Sequence, residues 1–101
     1  MDLSKSSIKN LRAESHRLSL KPVVMIGQHG LSDNVHAEID LALTHHELIK
    51  IRVPGQERED KKAMIDSICK KHKADLIQAI GNVAVLFRAN KEINRYVKLL
   101  K

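Results

Sequence analysis

A chain of 101 residues with 43% hydrophobic and 30% charged residues is long enough for one domain with a core, and this composition argues against intrinsic disorder. No apolar run approaches the ~20 residues that span a bilayer, and the single cysteine excludes an internal disulfide. The formal net charge of +6 favours an acidic partner, either nucleic acid or a membrane surface. With no apolar signal core near the N-terminus, these features predict a cytoplasmic protein.

The first half of the chain predicts a basic helix, a buried strand and a second helix. Apolar residues recur at helical spacing in the first helix, and Lys5, Lys9 and Arg12 lie between them. The strand is a run of four apolar residues, and Ser32 or Asp33 after it is a candidate helix N-cap. The three elements cover residues 4–15, 23–26 and 32–45.

The second half predicts a strand, a third helix and a hairpin of two strands. Ile49, Ile51 and Val53 alternate with Lys50 and Arg52. One face of that strand is therefore expected to be buried and the other basic. These elements cover residues 49–53, 58–72, 76–80 and 83–88, with a two-residue turn at Gly81-Asn82.

The order α-β-α-β-α-β-β predicts an α/β fold, a two-layer sandwich in which helices pack on a four-stranded mixed sheet. Strands that alternate with helices are expected to run parallel, and the final hairpin must be antiparallel. This domain covers residues 1–88. Apolar residues at helical spacing, with Asn90 as the N-cap, predict a short amphipathic C-terminal tail helix over residues 89–101.

A Gly-x-x-Gly loop lies between the first strand and the second helix. Two glycines allow a tight turn, and the amides of such a loop and of the helix start behind it favour an anion, most often phosphate. The two residues between the glycines can donate hydrogen bonds to a phosphate or to a base edge. The alternatives are that the glycines only reverse the chain and that the residues between them are ordinary exposed turn residues. The loop consists of Gly27, Gln28, His29 and Gly30.

Basic residues near this loop are candidates for neutralising an RNA backbone. The chain contains one phenylalanine, one tyrosine and no tryptophan, so it lacks the platform of rings on which single-stranded RNA bases usually stack. Binding would then depend on charge and on backbone contacts. Arg12, Arg17 and Lys21 precede the loop and could flank it. Lys50 on the second strand is a further candidate, although charges there also keep a sheet soluble and block edge pairing.

Catalysis or metal binding would need a cluster of reactive side chains. Cys69 and His72 are three residues apart on a predicted helix and could share a metal. Cys69, however, lies on the apolar side, where a small buried hydrophobic residue is expected. The sequence contains no obvious pair of carboxylates and no Gly-Lys-Ser/Thr ending of a nucleotide-binding loop. It therefore predicts a protein that is not an enzyme and uses no cofactor or metal.

Several segments together resemble the CRM domain, the chloroplast RNA splicing and ribosome maturation domain, which bacteria carry alone as YhbY-like proteins. The resemblance covers residues 4–88 and implies a fold similar to the C-terminal domain of translation initiation factor three. Its main segments are Lys-Pro-Val-Val-Met-Ile-Gly at residues 21–27, the loop, and His-His-Glu-Leu-Ile-Lys at residues 45–50. Supporting segments are Arg58-Glu59, Ile80-Gly81 and Leu86-Phe87-Arg88.

The resemblance implies a non-catalytic RNA-binding protein, specifically a ribosome assembly factor that binds rRNA of the large-subunit precursor. The expected partner is RNA, without a membrane or a small-molecule substrate, and a monomer is expected. The alternative is a protein-interaction module that docks an acidic partner through its basic surface and tail helix. The residues expected to bind RNA are Gly27, Gln28, His29, Gly30, Arg12, Arg17, Lys21 and Lys50.

Overall fold

A computed structural model describes residues 3–27 and 29–100 and contains the element order that the sequence predicts. The predicted bounds differ from the observed ones by one or two residues at most ends. None of the helices in this described part is long and apolar enough to cross a membrane. The elements are α1 (Lys5–Arg17), β1 (Pro22–Met25), α2 (Asp33–His46), β2 (Leu48–Arg52), α3 (Arg58–His72), β3 (Asp75–Ile80) and β4 (Val83–Phe87), followed by one 3₁₀ turn (Val97–Leu99).

The four strands form one mixed sheet in the order β1-β2-β4-β3. β1 runs parallel to β2, and β4 runs antiparallel to both of its neighbours. The loops after β1 and β2 and the turn between β3 and β4 therefore meet at one edge, which we call the loop edge. There the amide of Ile26 donates to the carbonyl of Arg52, and the amide of Val53 donates to the carbonyl of Asn82, each at 2.8 Å.

Both faces of the sheet carry apolar side chains, because β2 and β4 present buried residues on alternate sides. Ile49 and Ile51 face α2 and α3, whereas Leu48 and Phe87 lie on the other face with Leu11 of α1. The predicted α/β class and four-stranded mixed sheet are confirmed. With α1 on the second face, the sheet carries helices on both sides, which is one layer more than the two that were predicted.

The predicted tail helix is not formed within the described residues 89–100. A single turn begins at Asn90, whose side-chain oxygen accepts from the amide of Glu92 at 3.0 Å, as expected of a cap. The turn ends at Asn94, which has φ +49° and leaves the helical conformation. The next amide, that of Arg95, donates to a carboxylate oxygen of Glu47 at 3.0 Å instead of continuing the helix. One 3₁₀ turn follows, and the prediction of a helix is wrong.

The tail packs against the α1 side of the sheet. Tyr96 is buried, and its ring meets that of Phe87 edge-on, with centroids 6.2 Å apart and planes at 75°. The side-chain amide of Asn10 on α1 donates to the carbonyl of Leu99 at 3.1 Å. The tail therefore adds Tyr96 to the apolar cluster that contains Leu11 and Phe87, and it contacts α1.

Candidate nucleic-acid interface

The Gly-x-x-Gly loop closes on itself in a tight turn at the loop edge. The amide of Gly30 donates to the carbonyl of Gly27 at 3.0 Å, and the amide of Ser32 donates to the carbonyl of Gly30 at 3.2 Å. Two of the amides in this region are thus already engaged. Gly27 and His29 are exposed, and Gln28 lies outside the described residues. The amide of Gly30 is therefore used within the loop and is not free to donate to an anion.

The two glycines have different reasons to be glycine. Gly30 has φ +77°, a left-handed conformation that side chains rarely adopt, although a Cβ there would meet nothing within 4 Å. Gly27 has no such backbone, and a Cβ there would also meet nothing within 4 Å. The positive φ explains why residue 30 is a glycine. Neither the φ of residue 27 nor the space around it requires a glycine there.

The start of α2 behind the loop is capped by the chain itself. The hydroxyl of Ser32 accepts from the amide of Val35 at 3.2 Å, so Ser32 is the N-cap. Asp33 places a carboxylate in the first turn and offsets part of the positive end of the helix dipole. Attraction of an anion to this region must therefore come largely from basic side chains nearby.

Four basic side chains form a stripe along α1. Lys5, Lys9, Arg12 and His16 are spaced three or four residues apart, which places them on one side of the helix, and all four are exposed. His16 ends the stripe at a shallow groove of about 240 Å³ on the sheet, which Lys50 also lines. The stripe on α1 is therefore continuous with the basic side of β2. The groove is lined by His16, Lys50, Gln78, Ile80, Val83 and Val85.

A row of four neighbouring residues, two of which also line this groove, crosses the sheet next to the loop edge. Met25 is paired with Arg52, Arg52 with Val83, and Val83 with Ile80. Because Val24 enters the core beneath α2 and α3, the next residue, Met25, faces the opposite side. Met25 is 67% exposed and Ile80 is 62% exposed, so α1 leaves this end of the sheet open. We call these four residues the open row.

Acidic groups are scarce on this side of the molecule. β1 and β2 contain no Asp or Glu, and α1 contains only Glu14. Arg17 donates from Nε and Nη2 to the two oxygens of Glu14, at 2.8 and 2.7 Å. This hydrogen bonding holds the pKa of Glu14 below its usual value. The single carboxylate of α1 is thus neutralised.

The structure brings some of the predicted RNA-binding residues together and separates others. Arg17 is paired with Glu14 and lines a different groove, between α1 and the tail. Lys21 precedes Pro22, which is the strand partner of Lys50. Lys21 is therefore one residue from the position beside Lys50 and ~20 Å of extended chain away from Gly27. Arg12 lies one helical turn before His16, which lines the same groove as Lys50.

Cys69 is half-buried and His72 is buried. Burial, and then the carboxylates of Asp66 and Asp75, raise the pKa of the Cys69 thiol to about 11. His72 is buried, and its Nε2 lies 2.9 Å from Nδ1 of His36 on α2. Within residues 3–27 and 29–100, no three His, Cys, Asp or Glu side chains are grouped so that they could hold a metal ion.

The fold and this basic side can be set against known protein families. The family model described as the CRS1 / YhbY (CRM) domain matches residues 3–88, most of the chain. The chain belongs to the CRS1/YhbY (CRM) family. The resemblance noted from the sequence is thereby confirmed.

Relatives of this CRM chain are named for RNA binding. An RNA-binding protein from Haemophilus influenzae is 44% identical over 90 residues, which are 89% of each chain. A probable RNA-binding protein from Pseudomonas aeruginosa is 37% identical over 95 residues, covering 94% of this chain and 89% of its own. The solution structure of a candidate RNA-binding protein from Staphylococcus aureus superposes with a TM-score of 0.76 at 29% identity, covering 88% of this chain and 91% of its own.

Sequence reasoning found part of the basic side of this CRM domain and missed the rest. The alternation in β2 indicated Lys50, and the spacing on α1 indicated Arg12. His16 was missed, although its position four residues after Arg12 is the signal that places it on the same side. Met25 and Ile80 were missed because only the pairing of strands makes them neighbours of Arg52.

Proposed function

We propose that this CRM protein is a non-catalytic RNA-binding protein of the cytoplasm that acts in ribosome assembly, as a monomer, by binding rRNA of the large-subunit precursor. The observation that carries the proposal is a basic surface that runs from α1 across β2 towards the loop edge. α1 and β2 together contain one carboxylate, that of Glu14, and it is paired with Arg17. The names of its relatives agree with RNA as the partner.

Each part of this surface has a defined task. Arg12 and Lys50 neutralise phosphates on either side of His16, whose ring can donate a hydrogen bond to the RNA, and Arg52 neutralises a phosphate next to the loop. Gly27 lets the RNA backbone approach without a side chain in the way, which gives a reason for a glycine that the chain itself does not require. Lys21, one residue before the strand partner of Lys50, adds positive charge at the start of β1. Because each phosphate contact releases counterions, the affinity should fall by ~0.7–0.9 log units per contact for each decade of salt.

A direct binding experiment tests the surface. Lys50→Gln combined with Arg52→Gln should weaken rRNA binding and reduce the slope of log affinity against log salt by ~0.7–0.9 for each phosphate that the variant no longer neutralises. The matched control is Lys70→Gln with Lys71→Gln, which removes the same charge from the last turn of α3. If both pairs weaken binding equally, net charge alone is responsible and the assigned surface is wrong.

The cellular role is tested by sedimentation of the native protein from a cell lysate. Migration with large-subunit precursors that disappears at high salt and after RNase treatment supports the proposal. A protein that stays at the top of the gradient under every condition rejects the ribosomal role. Association that survives RNase favours the alternative, an acidic protein partner. That alternative lacks its expected anchor, since the tail is packed onto the domain as turns.

A further inference from the structure

The open row combines exposed apolar side chains with a cation on a part of the sheet that the described helices and tail leave largely uncovered. Single exposed apolar residues are common on protein surfaces. Here two large ones, Met25 and Ile80, lie in register with Arg52 and Val83, and the row spans the sheet over ~14 Å at the usual strand spacing. Lys50 lies on the same side of β2, two residues before Arg52. The surface is therefore apolar at both ends and positively charged in the middle.

Charge favours a polyanion over a protein segment as the occupant of this surface. β1 and β2 carry no carboxylate, and both cations of β2 point to the open side. The exposed methionine and isoleucine, however, gain nothing from phosphates or ribose hydroxyls. An occupant that contacts both the cations and these apolar side chains must carry negative charge and apolar surface close together.

Unpaired RNA has this combination and duplex RNA does not. In a duplex the faces of the bases are stacked inside, and a protein meets mainly phosphates and 2′-hydroxyls. In a single strand the bases can turn outward while the phosphates stay on the cations. The polarisable thioether of Met25 and the side chain of Ile80 can cover such bases in place of Phe, Tyr or Trp rings, none of which is in the open row.

Resting on the proposed RNA-binding function, we propose that the open row is a subsite for unpaired nucleotides, with bases packed on Met25 and Ile80 and their phosphates on Lys50 and Arg52. The CRM domain then selects single-stranded segments, loops or bulges within a larger RNA, next to the backbone that the Gly-x-x-Gly loop contacts.

The experiment measures the affinity of the full chain for a labelled single-stranded RNA oligonucleotide and for a blunt RNA duplex that contains the same strand. The variant Met25→Ser with Ile80→Ser removes the apolar ends of the row and keeps every charge. The matched control is Leu41→Ser, which alters a side chain that is 59% exposed on α2, on the other side of the sheet. All altered side chains are largely exposed, and unchanged thermal unfolding verifies that the variants fold.

We expect the wild type to prefer the single strand, and the double variant to bind the single strand about fivefold or more weakly with little change for the duplex. The control should bind both RNAs as the wild type does. Equal binding of the two RNAs by the wild type, or a double variant with unchanged single-strand affinity, overturns the subsite and leaves RNA binding standing. A wild type that binds neither RNA overturns the proposed function itself. A double variant that keeps its RNA affinity but loses RNase-resistant association with large particles assigns the row to a protein partner.

Discussion

The backbone amide of Asn90 donates a hydrogen bond of 2.8 Å to Oε2 of Glu47, which lies 43 residues earlier in the chain. The other oxygen of this carboxylate accepts from the amide of Arg95, and the carbonyl of Glu47 accepts from the amide of Arg88 at 2.9 Å. Glu47 is 1% exposed and holds φ +62° at the end of α2. One buried carboxylate thus fixes the start of the tail, which explains why a glutamate in the His-His-Glu-Leu-Ile-Lys segment has a structural role.

Replacing Glu47 by alanine should lower the free energy of unfolding by about 2–4 kcal/mol, because two backbone amides lose a charged acceptor. Glu47→Gln keeps one acceptor oxygen in a side chain of similar size and should lose roughly half as much. Urea unfolding of both variants provides the comparison. Equal stability of the wild type and Glu47→Ala would show that the carboxylate does not hold the tail.

The local part of this fold could be predicted from the sequence. The periodicity of α3 gave its bounds, Arg58–His72, and the two-residue turn at Gly81-Asn82 gave the hairpin, since both signals lie within a few residues of what they determine. The prediction of a tail helix failed because a contact with a residue far away in sequence helps to determine the tail's conformation. Its first turn was correctly expected at Asn90, but a helix was prevented by Asn94 at positive φ and by the distant Glu47.

In the candidate site, too, the features set by local sequence could be predicted and those set by distant contacts could not. The basic side of β2 follows from alternation, and the pairing of Glu14 with Arg17 follows from a spacing of three residues on one helix. The open row could not be predicted, because Met25 and Ile80 become neighbours of Arg52 only through the strand order β1-β2-β4-β3. That order depends on contacts between residues far apart in sequence.

Arg88 should stabilise the domain in a way that lysine cannot reproduce. Its Nη1 donates to Oδ1 of Asp40 and to the carbonyl of His72, at 3.0 and 3.1 Å, and its Nη2 donates to the carbonyl of Asp40 and to the hydroxyl of Thr44. A single ammonium cannot reach all four acceptors. Arg88→Lys is expected to lose about 1–2 kcal/mol in urea unfolding. Arg95→Lys, at an exposed position, is the control and should leave stability unchanged.

Alanine at the two loop glycines should separate folding from binding. Gly30→Ala is expected to lose about 1–2 kcal/mol of stability because its φ is +77°. Gly27→Ala has no such strain and should leave the unfolding midpoint unchanged or slightly higher. It should nevertheless weaken RNA binding in an anisotropy titration, since in the proposed interface the methyl group would stand in the path of the RNA backbone. Full affinity of a folded Gly27→Ala protein would remove the loop from the interface.

The thiol of Cys69 should be nearly inert at neutral pH. A pKa raised from 9.0 to about 11 lowers the thiolate fraction, and hence the rate of alkylation, by about 100-fold. The rate with iodoacetamide in the native protein, compared with the rate in urea, measures this effect. Cys69→Ala should bind RNA as the wild type does. Rapid alkylation of the native protein would contradict the raised pKa of this half-buried thiol.

The buried His72 should make the stability of the domain depend on pH in a defined direction. Burial is the main cause that lowers the pKa of His72, and the charges of His36, Arg88 and Lys71 act in the same sense, while Asp40 opposes them. The folded state therefore favours the neutral ring, whereas the unfolded chain takes up the proton near pH ~6.5. Stability from this group is fully present above that pH and is lost as the pH falls below it, towards the lowered pKa of the folded state.

Urea unfolding at about pH 7.5 and about pH 5.5 measures this loss on either side of the unfolded pKa. The wild type should lose more free energy of unfolding between the two conditions than His72→Gln, which cannot take up the proton. His45→Gln is the control for histidine content, because His45 is exposed on the same helix as His36. This variant should show the same pH dependence of stability as the wild type.

Since the 2.9 Å contact between His36 and His72 joins α2 to α3, protonation of His72 should also loosen these helices. Faster amide hydrogen exchange in α2 and α3 at the lower pH, after correction for the intrinsic rate, is the expected sign. Equal pH dependence in the wild type and His72→Gln would show that another group controls the acid stability.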